Sequence, residues 1–119
     1  MPNDVSRVQI EFTLEFKRNL DTLAKKYRHI RSDIQPVIGQ LEDGIFVGNR
    51  ITGASSVVFK VRVKNSDIAK GKRSGYRLIN ELKNPRQVVL VTIYSKPDQS
   101  DIAAGKIRQI LTEFEKGKE

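Results

Sequence analysis

Positive side chains gather in one part of this chain. Lys60, Arg62, Lys64, Lys70, Lys72, Arg73 and Arg77 fall within eighteen positions against a single acid, Asp67, so residues 60–77 hold 7 − 1 = +6 of a total of +8. Residues 1–55, by contrast, balance eight basic against seven acidic side chains. Such a cluster fits a polyanion, because each phosphate neutralised by lysine or arginine releases condensed counterions; the same run also serves as a plain solubilising surface. Arginine holds phosphate oxygens through paired N–H donors and stabilises the charge that builds when a phosphodiester is attacked. A lysine crowded by other cations loses part of its preference for the charged form and can then move protons near neutral pH. With RNA the substrate brings its own nucleophile, the 2'-hydroxyl beside the scissile phosphate, so this chemistry needs neither metal nor histidine. DNA, lacking that hydroxyl, is not a substrate for it.

Other chemistries find little support. The chain has no cysteine, which removes disulfides, thiolate metal sites and cysteine nucleophiles, and a single histidine, His29, which cannot build a zinc site. No Gly-rich phosphate loop ending in Lys-Ser/Thr, no His-Glu-x-x-His and no nucleophile elbow is present. His29, between two predicted helices, reads as a surface or capping residue. No metal, cofactor or small-molecule ligand is expected. The longest apolar run, Val88 to Val91, is far short of the ~20 residues of a membrane helix, and no apolar leader follows Met1, so a cytoplasmic protein without membrane attachment is expected. At 119 residues, 1–119 forms one domain.

The elements that must position these cations follow from apolar spacing. Val8, Ile10 and Phe12 alternate with polar residues as a half-buried strand does. Thr13 caps a helix with Phe16, Leu20, Leu23, Ala24 and Tyr27 on one stripe, and Ile30, Ile34, Val37, Ile38 and Leu41 repeat the same offsets. Ser32 and Gln35 have capping-box spacing, which puts Pro36 in the first turn of the second helix. Gly44, Gly48 and Gly53 mark an irregular stretch before a strand from Val57 to Val63. There Val57, Phe59, Val61 and Val63 face a core while Lys60, Arg62 and Lys64 share the opposite, basic side. Asn65 to Ser74 is a cationic loop; Gly75 to Ile79 is a strand; Asn84-Pro85 turns the chain into a central strand, Val88 to Tyr94; and Ser100 caps a last helix with Ala103, Ile107, Ile110, Leu111 and Phe114 inward.

The order is β-α-α-β-β-β-α, an α+β fold of helices packed on a small, mainly antiparallel sheet. Strands pair ~4.8 Å apart. In the right register, Lys60 and Arg62 from the first strand of the meander, Arg77 from the second and Tyr94 and Lys96 from the third meet in one groove. Tyr94 suits stacking on a base or packing equally well. Tyr76 shares a face with Leu78 and is read as packing.

Three stretches in this order, Phe59-Lys60-Val61-Arg62-Val63, then Gly71 to Ile79 with Gly75-Tyr76-Arg77 inside it, then Val91 to Lys96 with Asp101-Ile102, resemble the RelE/ParE toxin superfamily of type II toxin-antitoxin systems, nearest its RelE/HigB branch. The likeness runs over nearly the whole chain. It implies a RelE-like fold and an mRNA endoribonuclease working on ribosome-bound messages and neutralised by a cognate antitoxin. Carried over residue by residue, it makes Lys60 and Arg62 the basic pair of the core strand, one of them the general base, Arg77 the stabiliser of the transition-state phosphate and Lys96 a phosphate contact or acid. Lys64, Lys70, Lys72, Arg73 and Tyr94 would bind the RNA strand. Where RelE proper has a second basic residue and a helix tyrosine, this chain has Pro97 and Ala103. Two other activities use the same residues differently: a ParE-like inhibitor of DNA gyrase, and an RNA- or ribosome-binding module without catalysis.

Overall fold

A computed structural model of the chain describes residues 7–68 and 74–117. Its elements are β1 (Gln9–Phe12), α1 (Leu14–Lys26), α2 (Ile30–Glu42), β2 (Asn49–Ile51), β3 (Val58–Val63), β4 (Tyr76–Asn84), β5 (Gln87–Ser95) and α3 (Ala104–Lys116). The five strands form one mixed sheet in the order β1-β5-β4-β3-β2. β1 runs parallel to β5, and the β2-β3-β4-β5 pairs are antiparallel. The α+β class and the antiparallel meander agree with the expectation. Added to it is β2, three residues of the stretch read as irregular, paired to the outer side of β3. Gly48 makes this edge possible: its φ is +104°, and a Cβ there would sit 2.5 Å from the Lys60 carbonyl oxygen, so neither side-chain strain nor bulk is tolerated.

Two apolar layers sandwich the sheet. On one face α1 and α2 close over Val61, Val63, Tyr76, Leu78, Val88, Leu90 and Ile93. On the other, α3 lays Ile107, Ile110 and Leu111 over Val58, Ile79, Val89, Val91 and Tyr94. β5 is buried on both faces, as its continuous apolar run requires. The two-sided reading of β3 needs correction at its start: Val58, fully buried, shares the face of Lys60 and Arg62, so that face is basic only toward its far end. Tyr76 packs as expected, edge-on to Tyr27 with ring centroids 5.8 Å apart.

Thr13 caps α1 as anticipated. Its Oγ1 accepts from the Phe16 N–H at 2.9 Å and donates to the Val91 carbonyl at 2.6 Å, where the β4–β5 register shifts. The other two helix starts differ from expectation. α2 begins at Ile30, with His29 at the N-cap position, and holds Pro36 in its interior. Ile30, completely buried, pins the first turn, the Asp33 N–H bonds the His29 carbonyl at 2.9 Å, and Ser32 Oγ donates to that same carbonyl. Apolar burial outweighs the capping-box spacing. α3 is capped at Ala103 rather than Ser100, because residues 100–102 are held in irregular chain ahead of it: the Ser100 carbonyl accepts from Lys96 Nζ at 2.7 Å and Asp101 Oδ1 accepts from the Ile102 N–H at 2.8 Å. No helix among the described residues is long and apolar enough to cross a membrane.

Candidate nucleic-acid interface

Strand register assembles the cations. Arg62 on β3 stands directly opposite Arg77 on β4, and Arg77 opposite Tyr94 on β5, so the three form one row across the sheet on the α3 side. Lys60, two residues back along β3, shares that side. The row grades from open to covered: Arg62 is exposed, while Arg77 and Tyr94 are each only 5% exposed. Arg77 donates from Nη1 to the Tyr76 carbonyl at 3.2 Å. Burial and the neighbouring Arg62 pull its pKa below the ordinary arginine value. Burial, with Asp101 next in weight, pushes the Tyr94 hydroxyl up to about 12, which keeps it a neutral donor. Opposed like charges are unfavourable in an unliganded sheet and become favourable when an anion lies between them.

A carboxylate joins the cluster, which sequence reading did not anticipate. Asp101, just before α3, receives at Oδ1 the Ile102 N–H at 2.8 Å, Lys60 Nζ at 3.4 Å and the Tyr94 hydroxyl at 3.5 Å. The Ile102 N–H first, then Lys60 and Lys96, hold its pKa below the usual carboxylate range. Lys60 is therefore ion-paired, with its side chain 27% exposed, rather than surrounded by cations alone. Lys96 follows β5, its backbone N–H bonded to the Gly75 carbonyl and its Nζ to the Ser100 carbonyl, near enough to Asp101 to act on it electrostatically. Lys60, Arg62, Arg77, Tyr94 and Lys96 thus belong to one neighbourhood, in which Asp101 meets Lys60, Tyr94 and Lys96. The signal for Asp101 was in the sequence: an acid five residues after Lys96, at the entrance to the last helix.

The predicted RNA-binding lysines and arginines divide. Lys64 is exposed just past β3. Lys70, Lys72 and Arg73 lie outside the described residues. The segment leading to them is tied down: Ser66 donates from N and Oγ to Asp33 Oδ2 at 2.9 and 3.1 Å, and Asp67 accepts the His29 backbone N–H at 3.0 Å and sits 2.6 Å from His29 Nδ1. The His29 side chain, then its backbone N–H, hold the Asp67 carboxyl below its ordinary value. His29 therefore fastens the foot of the cationic loop to the α1–α2 junction. That gives it a structural role, in line with the expectation of a surface residue.

Beyond Lys60 and Arg62, the basic surface continues onto the edge strand. A groove of about 370 Å³ runs between β2 and the 101–104 segment, lined by Asn49, Arg50, Ile51, Thr52, Lys60, Arg62 and Asp101 among others. Asn49 is the cross-strand partner of Lys60. A strand of three residues leaves almost no periodic trace, so Asn49 and Arg50 carried no signal when read alone. No protein-family model matches the chain, and no curated protein matches it.

Proposed function

We propose that the chain is a toxin of the RelE/ParE superfamily, of the RelE/HigB-like branch, which cleaves mRNA on the ribosome and is neutralised by a cognate antitoxin. One observation carries the reading: Arg62 and Arg77 are register-paired on one face of the sheet, with Tyr94 completing the row. Opposing two guanidiniums costs stability, and a phosphate seated between them reverses the sign of that term. The element order supports it too, since it departs from the β-α-α-β-β-β-α of that superfamily only by the three-residue edge strand β2.

In this reading Lys60 first gives up its proton to solvent, releasing its ion pair with Asp101, and as the neutral amine takes the proton of the 2'-oxygen while that oxygen attacks the adjacent phosphorus. The bond from phosphorus to the 5'-oxygen breaks, and Lys96 supplies that oxygen with a proton. The products are a 2',3'-cyclic phosphate and a 5'-hydroxyl. Arg62 and Arg77 hold the phosphate oxygens as charge builds, the term that usually contributes most. Tyr94 donates a neutral hydrogen bond or stacks on a neighbouring base.

Expression in a bacterial host with mapping of mRNA ends tests the proposal. Wild type gives translation-dependent cuts, and Arg77→Ala lowers cutting by about 10²- to 10³-fold, the loss that follows removal of one preorganised donor. Cuts that persist unchanged in Arg77→Ala would remove the row from the mechanism. Blocked DNA supercoiling without cuts selects the gyrase-inhibitor reading, and RNA binding without cuts the non-catalytic module.

A further inference from the structure

The groove beside β2 divides chemically along its length. At one end stand Arg62 and Lys60, the latter ion-paired to the Asp101 carboxylate; two residues further along β2, half-buried Ile51 packs with Ile102 on the α3-side core and supplies apolar surface, and Asn49 and Thr52 also line the groove. Inorganic anions would use only the first end. A nucleotide uses both, because its phosphate is anionic while its base offers an apolar face and a hydrogen-bonding edge. A volume of about 370 Å³ lies at the small end of the ~300–1,000 Å³ typical of ligand sites, enough for one such unit.

We propose that this groove is a nucleobase subsite, in which the base of one unpaired RNA residue lies on Ile51 and Ile102 while its phosphate rests on Lys60 and Arg62. The inference rests on the RNA reading above and assigns it a place where sequence preference arises. Asn49 is the reader. Its amide offers donors and an acceptor together, and its strand pairing with Lys60 fixes it next to the phosphate end. Thr52 supplies a second polar contact. Only a splayed, single-stranded base can enter, since paired bases keep their faces stacked. The Gly48 backbone supports the wall from behind, packed so closely on Lys60 that β2 cannot drift outward without breaking its pairing with β3.

The test needs no cleavage. The ¹⁵N-labelled full chain is titrated with each of the four nucleoside 5'-monophosphates and, separately, with inorganic phosphate. At least one nucleotide binds about tenfold more tightly than phosphate, and its amide shifts gather on Ile51, Thr52, Ile102 and Ala104. Asn49→Ala, at an exposed position, reduces the spread among the four nucleotides to within about threefold and leaves phosphate affinity unchanged; Thr52→Val does so more weakly. Nucleotides that bind no better than phosphate overturn the subsite. So do shifts confined to Val37, Gln40 and Val47, on the α2 side of a neighbouring groove that shares Asn49, Lys60 and Arg62. A chain that ranks nucleotides but cuts no message keeps the subsite and loses the nuclease; one that cuts while Asn49→Ala leaves the ranking intact does the reverse.

Discussion

The two faces of the sheet are built to different rules. Toward α1 and α2, apolar side chains cover the strands from Val88 at one end to Val63 and Tyr76 at the other. Toward α3 the cover stops partway: Val58, Ile79 and Val89 are buried, and then the same strands present Lys60, Arg62 and Arg77. Alternating side chains along β4 make the contrast sharp, since Leu78 and Arg77 are neighbours that point to opposite faces. Both layers bury apolar surface, but only the closed face does so along the whole of these strands. The half-covered face leaves Arg62 exposed and Lys60 partly so, with Arg77 covered beside them.

Substitutions on each face separate these roles. Leu78→Ala, in the closed layer, lowers unfolding free energy by about 2–5 kcal/mol in urea denaturation; a loss under about 1 kcal/mol would mean that α1 and α2 do not pack as described. Among the polar groups of this layer is Asn80, fully buried with both amide atoms unpartnered among the described residues. Asn80→Leu therefore raises stability by about 1–3 kcal/mol, the cost of an unsatisfied buried polar group. A destabilised variant would show that the amide has a partner.

Effects on the open face are smaller. Arg62→Gln removes one of two opposed charges, so stability stays within about 1 kcal/mol of wild type, and raising salt stabilises wild type more than the variant. Equal salt dependence of their melting temperatures would deny that the two guanidiniums repel. The smallest effect concerns acid. Asp101 has a folded pKa below its ordinary 3.8, so its contribution is complete above that value and is lost as pH falls through the folded one. Wild type exceeds Asp101→Asn in stability at about pH 6, with the difference closing as pH falls below 3.8. A difference that stays constant across that range would detach Asp101 from Lys60 and the Ile102 N–H.

How much of this was legible beforehand follows from the range of each interaction. The α1 stripe from Phe16 to Tyr27 and the alternation along β3 are local patterns; the first appears in the structure as read, and the second does so apart from Val58, buried on the side of Lys60 and Arg62. The basic neighbourhood was foreseeable as a row because Arg62, Arg77 and Tyr94 each fall on a strand of the meander. Three features depend on partners far along the chain, so their pairing is set by no local pattern. β2 exists through pairing with β3, β1 lies parallel to a strand about eighty residues away, and Asp101 reaches Lys60 across 41 positions. The two misplaced helix starts have the same origin: Ser32 and Ser100 have capping chemistry, but burial of Ile30 and the bonds of Lys96 and Asp101 set where the helices begin.

The tether at Ser66 and Asp67 has a counterpart across the loop. Gly75 passes so close to Val63 that a Cβ would lie 2.0 Å from its carbonyl oxygen. Any side chain at position 75 would therefore wedge β3 and β4 apart, two residues before Arg77.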